Sequence, residues 1–553
     1  MSSTPPPKNN YVAEEFNKEK FFSQLCKINE KLDPSTLDKN EKFKKFFKTL
    51  KNKFKVKTFL TEVRYVDRDY LCDYCEYYSR CFSDYPRFCS RIHFFTNAFK
   101  EKDFSALLKK EPNYLTEENF KKSYVGFMIV RPLPRTIIGR TCLDVKEFHN
   151  QNNCYYPVTR EYAPHLFGID LKIEKALAFQ EQDKTVAACS TSALWSAFHK
   201  TGKMFQHNIP TPVEITRVAN ESFPLAFRSL PTNGLTPEQM AGCIRKVGLE
   251  PYLWDVGVPT SSKNMINLKY IIYAYVSAGI PALLLFDQME KKKDEETFIC
   301  KGKHAVTVVG YRLSNRKNNK KFRADRIDKI FVHDDQRAPY SEMKIDEKTI
   351  KYIKQKRDKE GGIDDIHVNI LTISSSSTDK HRAYPLHILI PLYHKIRIAH
   401  EPVIESVAAF SHLLEDKELQ EQKNNPFKGE VEWDIRISMI QDFQRNIHNS
   451  EKLSPEIIET ILCDEYPRFL WIAGLRINND LKMDLIFDAT DIDQGCFLHR
   501  IIPYDYNMVA FLNSVFLDPG FPDNLRSTEW RKRSTWQIIK IFKDEKKIYL
   551  PEL

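Results

Sequence analysis

An apolar stretch in the middle of the chain constrains the fold more than any other segment. It reads YIIYAYVSAGIPALLLF from Tyr270 to Phe286 and is interrupted by Gly279-Ile280-Pro281. The stretch is too short to span a bilayer comfortably, and a Gly-Ile-Pro break ends a helix. We therefore predict a helix over Leu268–Ala278, a buried strand over Ile280–Phe286 and no membrane segment.

The composition is that of a folded, multidomain protein. At about 150 residues per domain, 553 residues suggest three or four domains. The hydrophobic fraction of 42% and the aromatic fraction of 12% suffice for packed cores. The net charge of +10 is modest for this length, so we expect no stable nucleic-acid complex. The 12 scattered cysteines are not a disulfide scaffold, and the N-terminus lacks a secretory pattern; both favour the cytoplasm.

Changes in composition and hydrophobic pattern along the chain predict an α+β protein with five segments. Short alternating runs bounded by Pro and Gly, such as TFLTEVRYV and YVGFMIVRPLP, are typical of strands. The segments are a disordered start with a basic helical region (1–57), an N-terminal α+β domain (58–175), a central domain (176–345), a charged, Ser-rich linker (346–380) and a C-terminal α+β domain (381–553) of unknown role. Within the last segment we predict a helix over Trp433–His448.

The central segment has the clearest start and stop signals. A helix is predicted to begin near Cys189, in CSTSALWSAFHKTG. Thr236 as N-cap, Pro237 at the first helical position and Gly248 after the last turn delimit another helix. Strand-like segments follow at His304–Tyr311 and Lys329–Val332.

Four residues of this segment have the chemistry of a nucleophilic thiol site. Cys189 would lie at a helix N-terminus, where unpaired N–H groups favour a thiolate. His304 opens a strand and would accept the thiol proton, while Asp334 follows the next strand and would orient the imidazole. Gln182 stands a short loop before Cys189, and its amide could bind an oxyanion together with the Cys189 N–H. Asp335 is the alternative acid; we favour Asp334 because it follows the strand most directly.

The order Gln-loop-Cys-helix, strand-His, strand-Asp resembles the papain-like cysteine peptidases. It looks closest to the C39-like branch, the fold of bacteriocin-leader-processing peptidases. The residues that carry the likeness are Gln182, Cys189 with its helix, the stretch from Gly234, Ile280–Phe286, and HAVTVVGY with Asp334. The resemblance covers about 170 residues. It implies a helix packed on an antiparallel sheet, with the thiol and the imidazole in the cleft between them.

The central segment departs from that branch in three places. Ser190 follows the cysteine where Gly is usual, and Asp335 follows the acid where Pro is usual. The connection Ser314–Asp328 is a long basic loop, predicted to protrude. There is no membrane domain and no GxxxxGK[ST] motif, so attachment to a secretion transporter is not expected.

The resemblance implies a cysteine peptidase that cleaves a peptide or protein substrate through a thioester, with the flanking regions selecting substrates or binding a regulator. A glutamine deamidase, a transglutaminase or an isopeptidase would use the same residues, and an inactive binding scaffold would keep only the fold. We expect no cofactor and no metal. Cys72 and Cys75 form a CxxC pair, but the spacing to Cys81 and Cys89 is not that of a second zinc knuckle.

Overall fold

The computed structural model describes residues 10–30, 32–112, 114–183, 185–222, 229–256, 262–292, 297–315, 321–357, 363–374, 380–415, 425–492, 497–516 and 548–549. The chain is mixed α+β, as predicted, and divides into two compact units. The first unit comprises residues 1–262, 279–311 and 329–391, and the second comprises 263–278, 312–328 and 392–553. This division differs from the predicted one, because the helix after residue 262 and the 312–328 connection group with the C-terminal region. The predicted disordered start lies outside the described residues, except for Asn10.

The first unit begins with an antiparallel five-stranded sheet in the order β1-β2-β3-β4-β5. Its strands are β1 (Tyr11–Glu15), β2 (Thr58–Tyr65), β3 (Cys89–Phe95), β4 (Tyr124–Val130) and β5 (Ile138–Leu143). The helices between them are α1 (Lys18–Ile28), α2 (Pro34–Lys39), α3 (Glu41–Lys48), α4 (Arg68–Glu76), α5 (Glu101–Leu108) and α6 (Glu117–Lys122). Every residue of β3 and β4 is buried, because both strands are central in the sheet.

Short strands lead from this sheet to the central helices. They are β6 (Cys154–Tyr155), β7 (Arg160–Tyr162), β8 (His165–Leu166), β9 (Ile169–Asp170) and β10 (Ile173–Ala176). The helices that follow are α7 (Cys189–Phe205), α8 (Pro212–Ser222) and α9 (Pro237–Lys246). Helix α7 begins at Cys189, as predicted, and most of its residues are buried.

The central sheet has eight strands and carries the predicted His and Asp segments. Its strands after β6 are β11 (Leu249–Asp255), β12 (Ala282–Lys291), β13 (Thr297–Leu313), β14 (Ile327–Asp334), β15 (Ala338–Arg357), β16 (Ile363–Ser374) and β17 (His381–Tyr393). Neighbours follow the order β11-β17-β12-β13-β14-β15-β16, and β16 pairs back onto β17. On β12 and β13, Phe286 pairs with His304, which places both side chains on one face of the sheet.

The second unit contains α10 (Ser262–Val276) and a four-stranded antiparallel sheet. Its other elements are α11 (His400–Leu414), β18 (Val431–Met439), α12 (Ile440–His448), α13 (Pro455–Cys463), β19 (Phe469–Ile477), β20 (Asp480–Asp488), β21 (Leu498–Pro503) and α14 (Tyr506–Phe516). The Tyr273 hydroxyl of α10 donates to Asp434 of β18 over 2.8 Å, a buried bond that ties the helix to this sheet. Of the described helices, none combines the length and the apolarity that crossing a bilayer requires.

Three local predictions are wrong. Residues 346–380 are not a linker in their described part, because β15 and β16 pair there in register, with Ile350 opposite Ile370. Apolar residues at every second position, such as Ile366, Val368 and Ile370, indicate a strand that the charged composition conceals. The predicted helix over Trp433–His448 is a strand up to Met439, paired with β19 over its whole length, and a helix afterwards. Tyr11–Glu15 is a strand rather than the start of the helical region.

The start of α9 offers a test of the fold. The Thr236 hydroxyl accepts from the Gln239 N–H over 3.3 Å, and the Gln239 side chain accepts from the Thr236 N–H over 3.0 Å. We predict that Thr236→Ala lowers the free energy of unfolding by about 1 kcal/mol, as loss of an N-cap does. Thr236→Ser keeps the hydroxyl and should match the wild type in urea titrations. Equal losses in both variants would contradict a capping role.

Candidate functional site

Cys189 occupies the first position of α7. Ala188, the N-cap residue, has extended backbone angles and contributes no side-chain cap. The first intrahelical bond runs from the Ser192 N–H to the Ala188 carbonyl, so the N–H groups of the first turn are not used by the helix itself. The Cys189 side chain is half-buried, next to the positive end of the helix dipole.

His304 joins the thiol to a carboxylate. Its Nε2 lies 3.0 Å from Asp334 Oδ1, and the Cys189 side chain lies close enough to the ring to help raise its pKa. Burial would lower the pKa of His304, but the charge and hydrogen bond of Asp334 outweigh it, and Cys189 adds to the effect. The pKa of His304 therefore lies well above its ordinary value. Phe286 packs edge-on against the ring, with centroids 5.4 Å apart.

Asp334 is the last residue of β14, and both of its carboxylate oxygens have polar partners. Its Oδ1 also accepts the Gln336 N–H over 3.0 Å, and the Arg337 guanidinium lies 3.3 Å from Oδ2. Burial would raise the pKa of this carboxyl, but His304, followed by Arg337 and the Gln336 N–H, lowers it below its ordinary value. Asp334 is thus an ionised, fixed acceptor for the imidazole.

Asp335 has a different environment from its neighbour. Its Oδ1 lies 3.8 Å from His304 Nε2, beyond hydrogen-bond distance, and its Oδ2 is buried without a partner. Burial, reinforced by the charge of Asp334, raises the pKa of Asp335 to about 7. Of the two acids that the sequence left open, Asp334 is therefore the one that bonds to the imidazole.

The loop from Gln182 to Cys189 is organised by Asp183, a residue that sequence reasoning missed. The Asp183 N–H donates to the Ala187 carbonyl over 3.0 Å, which brings Gln182 and Ala188 to the same end of a tight turn. Its Oδ1 accepts the N–H groups of Thr185, Val186 and Ala187 over 2.8–2.9 Å. An Asp at the start of QDKTVAAC is a turn signal that could have been recognised. Gln182 itself is half-buried at the edge of this turn.

The N-terminal region also contributes to the site. Lys42 of α3 forms an ion pair with Glu181, next to Gln182 in sequence, and its Nζ lies 3.5 Å from the Asp335 carbonyl oxygen. The Tyr78 hydroxyl donates to Asp183 Oδ2 over 2.9 Å. No local pattern could have revealed these contacts, because the partners are separated by more than one hundred residues.

The other imidazole nitrogen faces a glutamine. Gln336 Nε2 lies 3.4 Å from His304 Nδ1, and the Gln336 amide oxygen accepts from Gln288 Nε2 over 3.0 Å. Gln336 is exposed, so its side chain borders the solvent side of the ring. Because Asp334 occupies Nε2, Nδ1 is the nitrogen available to a thiol proton.

Two neighbours of the site have structural roles. The Ser190 hydroxyl accepts the Leu235 N–H over 2.9 Å, so the serine that replaces the expected glycine fastens the turn before α9. His333 is fully buried on β14 and bonds to the Ser196 hydroxyl over 3.2 Å, and burial lowers its pKa to about 3. It remains neutral and takes no part in the Cys189–His304 contact.

In the part of the chain that the structure describes, a single group has metal-binding geometry. It consists of His304, Asp334 and Asp335, whose ligand atoms lie within 4.8 Å of one another. Cys72, Cys75, Cys81 and Cys89 do not assemble into such a group within the described residues. The cysteines that the structure describes are free thiols.

No protein-family model matches the chain, and no curated protein shows significant similarity to it. A function can therefore be inferred only from the geometry of the site. A half-buried thiol at a helix N-terminus, beside an imidazole that a buried carboxylate orients, can transfer a proton from sulfur to nitrogen. The predicted Cys189, His304 and Asp334 meet in this arrangement, and Gln182 lies at the edge of the same loop.

We predict that the stability of the fold depends strongly on Asp183. Asp183→Ala leaves three N–H groups, two of them buried, without their acceptor, which should lower the free energy of unfolding by about 2–3 kcal/mol. Tyr78→Phe removes only the hydroxyl and should lower it by about 1 kcal/mol. Guanidinium titrations of both variants provide the measurement. A smaller loss for Asp183→Ala than for Tyr78→Phe would contradict the proposed turn.

The two adjacent acids should change the pH dependence of stability in opposite directions. Because the pKa of Asp335 is raised in the folded state, its carboxyl contributes fully to the free energy of unfolding below pH 3.8, its ordinary pKa. This contribution decreases as the pH rises from 3.8 to about 7. Asp335→Asn should remove that decline. The lowered pKa of Asp334 contributes stability above 3.8 that is lost as the pH falls below it, and Asp334→Asn should remove that acid loss. Unfolding titrations from pH 3 to 8 measure both slopes; slopes of the same sign would contradict the assignment.

Proposed function

We propose that the first unit is a thiol hydrolase that performs acyl transfer through Cys189, His304 and Asp334 in a papain-like arrangement. The observation that carries the proposal is the placement of the Cys189 thiol beside an imidazole that a buried carboxylate holds by a 3.0 Å hydrogen bond. In sequence, these three residues are spread over residues 189 to 334. Their meeting in one place is what an activated nucleophile requires.

The chemistry follows from the position of each group. The Cys189 sulfur would attack a carbonyl carbon while His304 Nδ1 takes the thiol proton. The C–N bond of the tetrahedral intermediate would then break, and His304 would return the proton to the leaving amine. A water molecule, deprotonated by His304, would hydrolyse the thioester and release the acid and the free thiol.

Donors for the oxyanion are available at the start of α7. The Cys189 N–H belongs to the first turn, where the helix uses no N–H group itself. Gln182 is the proposed second donor, since the Asp183 turn returns the chain so that Gln182 and Ala188 lie at one end of it. Two donors aimed at the developing charge typically contribute 10²–10³-fold each to the rate.

The different burial of His304, Asp334 and Cys189 supports a catalytic role for the three residues more than a structural one. His304 and Asp334 are only 2% and 5% exposed, so their interaction is little weakened by water. The thiol, in contrast, is half-buried and reachable. An inactive scaffold would not need a half-buried thiol beside a buried, oriented imidazole.

The proposed substrate is a peptide or protein, acted on in the cytoplasm, with cleavage of a peptide or amide bond. A deamidase, a transglutaminase or an isopeptidase would use the same three residues and differ only in the acyl donor or acceptor. Profiling against peptide libraries and glutamine-containing proteins therefore decides between these activities. Stable binding of nucleic acid is not proposed; it would show as steep salt dependence in a mobility-shift titration.

Thiol reactivity tests the proposal directly. We predict that iodoacetamide labels Cys189 at pH 7 at least tenfold faster than Cys75, Cys300 and Cys463, which are exposed and serve as internal references. His304→Ala should reduce the rate at Cys189 to that of the references without altering theirs. Mass spectrometry of the tryptic peptides gives each rate. Labelling of Cys189 no faster than the exposed thiols would favour a scaffold.

The same variants can then be used for turnover. Cys189→Ala should abolish hydrolysis while retaining the wild-type unfolding curve, because the side-chain change is small and lies at a half-buried position. Asp334→Asn should leave a weaker enzyme. If Asp335→Asn proved more damaging than Asp334→Asn, the assignment of the orienting acid would be wrong.

A further inference from the structure

Asp335 has no function in the proposed thiol chemistry, yet it is buried beside the imidazole. The residue is 4% exposed, and its Oδ2 has no hydrogen-bond partner. An unpartnered buried carboxylate oxygen is costly unless something else satisfies it. The nearby cations are engaged elsewhere, since Lys42 pairs with Glu181 and Arg337 with Asp334 Oδ2.

The ligand atoms of His304, Asp334 and Asp335 lie within 4.8 Å of one another. Asp334 Oδ1 lies 3.0 Å from it and Asp335 Oδ1 lies 3.8 Å from it. Two ligands bound to zinc at its usual bond lengths, at a tetrahedral angle, lie ~3.4 Å apart. The two separations from Nε2 lie on either side of that value.

We propose that His304, Asp334 and Asp335 form an inhibitory site for a zinc-like divalent cation. The site would regulate the thiol chemistry, so its inhibitory role depends on the function proposed above, whereas the binding of the metal does not. One imidazole and two carboxylates suit zinc or cobalt, while magnesium prefers a larger set of oxygens.

Inhibition follows from the position of the ring proton. While Cys189 keeps its proton, the imidazole carries its own proton on Nε2, donated to Asp334, and the lone pair on Nδ1 accepts the thiol proton. A cation on Nε2 displaces that hydrogen bond, and the ring proton moves to Nδ1. Nδ1 then has no lone pair for the thiol proton, so Cys189 loses its base although nothing is oxidised or covalently modified.

Metal binding can be measured without any activity. The full chain carrying Cys189→Ala removes the nucleophile as a competing ligand, and Co²⁺ is added while its visible absorption is recorded. We expect one equivalent with a tetrahedral spectrum, displaced by Zn²⁺. Adding Asp335→Asn should weaken this binding at least tenfold, whereas adding Asp484→Asn, a matched change at a buried carboxylate of the second unit, should not. Equal Co²⁺ binding with and without Asp335→Asn would overturn the site.

The effect on the thiol is a separate measurement. In the wild type, Zn²⁺ should slow iodoacetamide labelling of Cys189 at least tenfold, and EDTA should restore the rate. The ratio of rates with and without Zn²⁺ should approach one in Asp335→Asn. Zinc-dependent hydrolysis that survives Cys189→Ala would overturn the inhibitory role. Slow labelling of Cys189 in metal-free protein would refute the thiol hydrolase while leaving the Co²⁺ result intact.

Discussion

The buried hydrogen bond between His304 Nε2 and Asp334 Oδ1 is the contact on which the rest of the site depends. It fixes the tautomer of the imidazole, and so determines which nitrogen faces Cys189. It also explains why the pKa of His304 is raised and that of Asp334 lowered in spite of burial. Asp335, one residue further, lacks such a bond, and its carboxyl behaves in the opposite way. One position along the chain therefore separates a fixed anion from a carboxyl whose pKa burial raises to about 7.

Residues of the first unit that lie outside the central segment also help to form the site. Lys42 comes from the N-terminal helices, and Tyr78 from the region after α4. Asp183 gathers three backbone N–H groups and so shapes the loop between Gln182 and Cys189. Lys42 and Tyr78 lie outside the central segment, so reasoning confined to that segment could not reveal their support of the loop.

Local signals predicted the elements well where several signals agreed. Thr236, Pro237 and Gly248 delimited α9 correctly, and the start of α7 at Cys189 followed from the apolar period after it. Prediction failed where composition concealed periodicity. The charged stretch after residue 345 was interpreted as a linker, although its described part pairs strand to strand. The division into units was also different from the prediction, since contacts between distant segments leave no trace in local composition.

The sequence by itself indicated which side chains could form a thiol site and on which elements they lie: a cysteine at a helix start, a histidine at the start of a strand and adjacent acids after another. These follow from local preferences of the backbone, which act over a few residues. The structure extends the histidine's strand back to Thr297, so His304 lies within it. Only the tertiary structure decided that Asp334 rather than Asp335 bonds to the imidazole, that Gln336 borders the ring and that Lys42 reaches Glu181. Such outcomes depend on sheet register and packing between distant segments, where differences of less than an ångström decide which atoms form a bond.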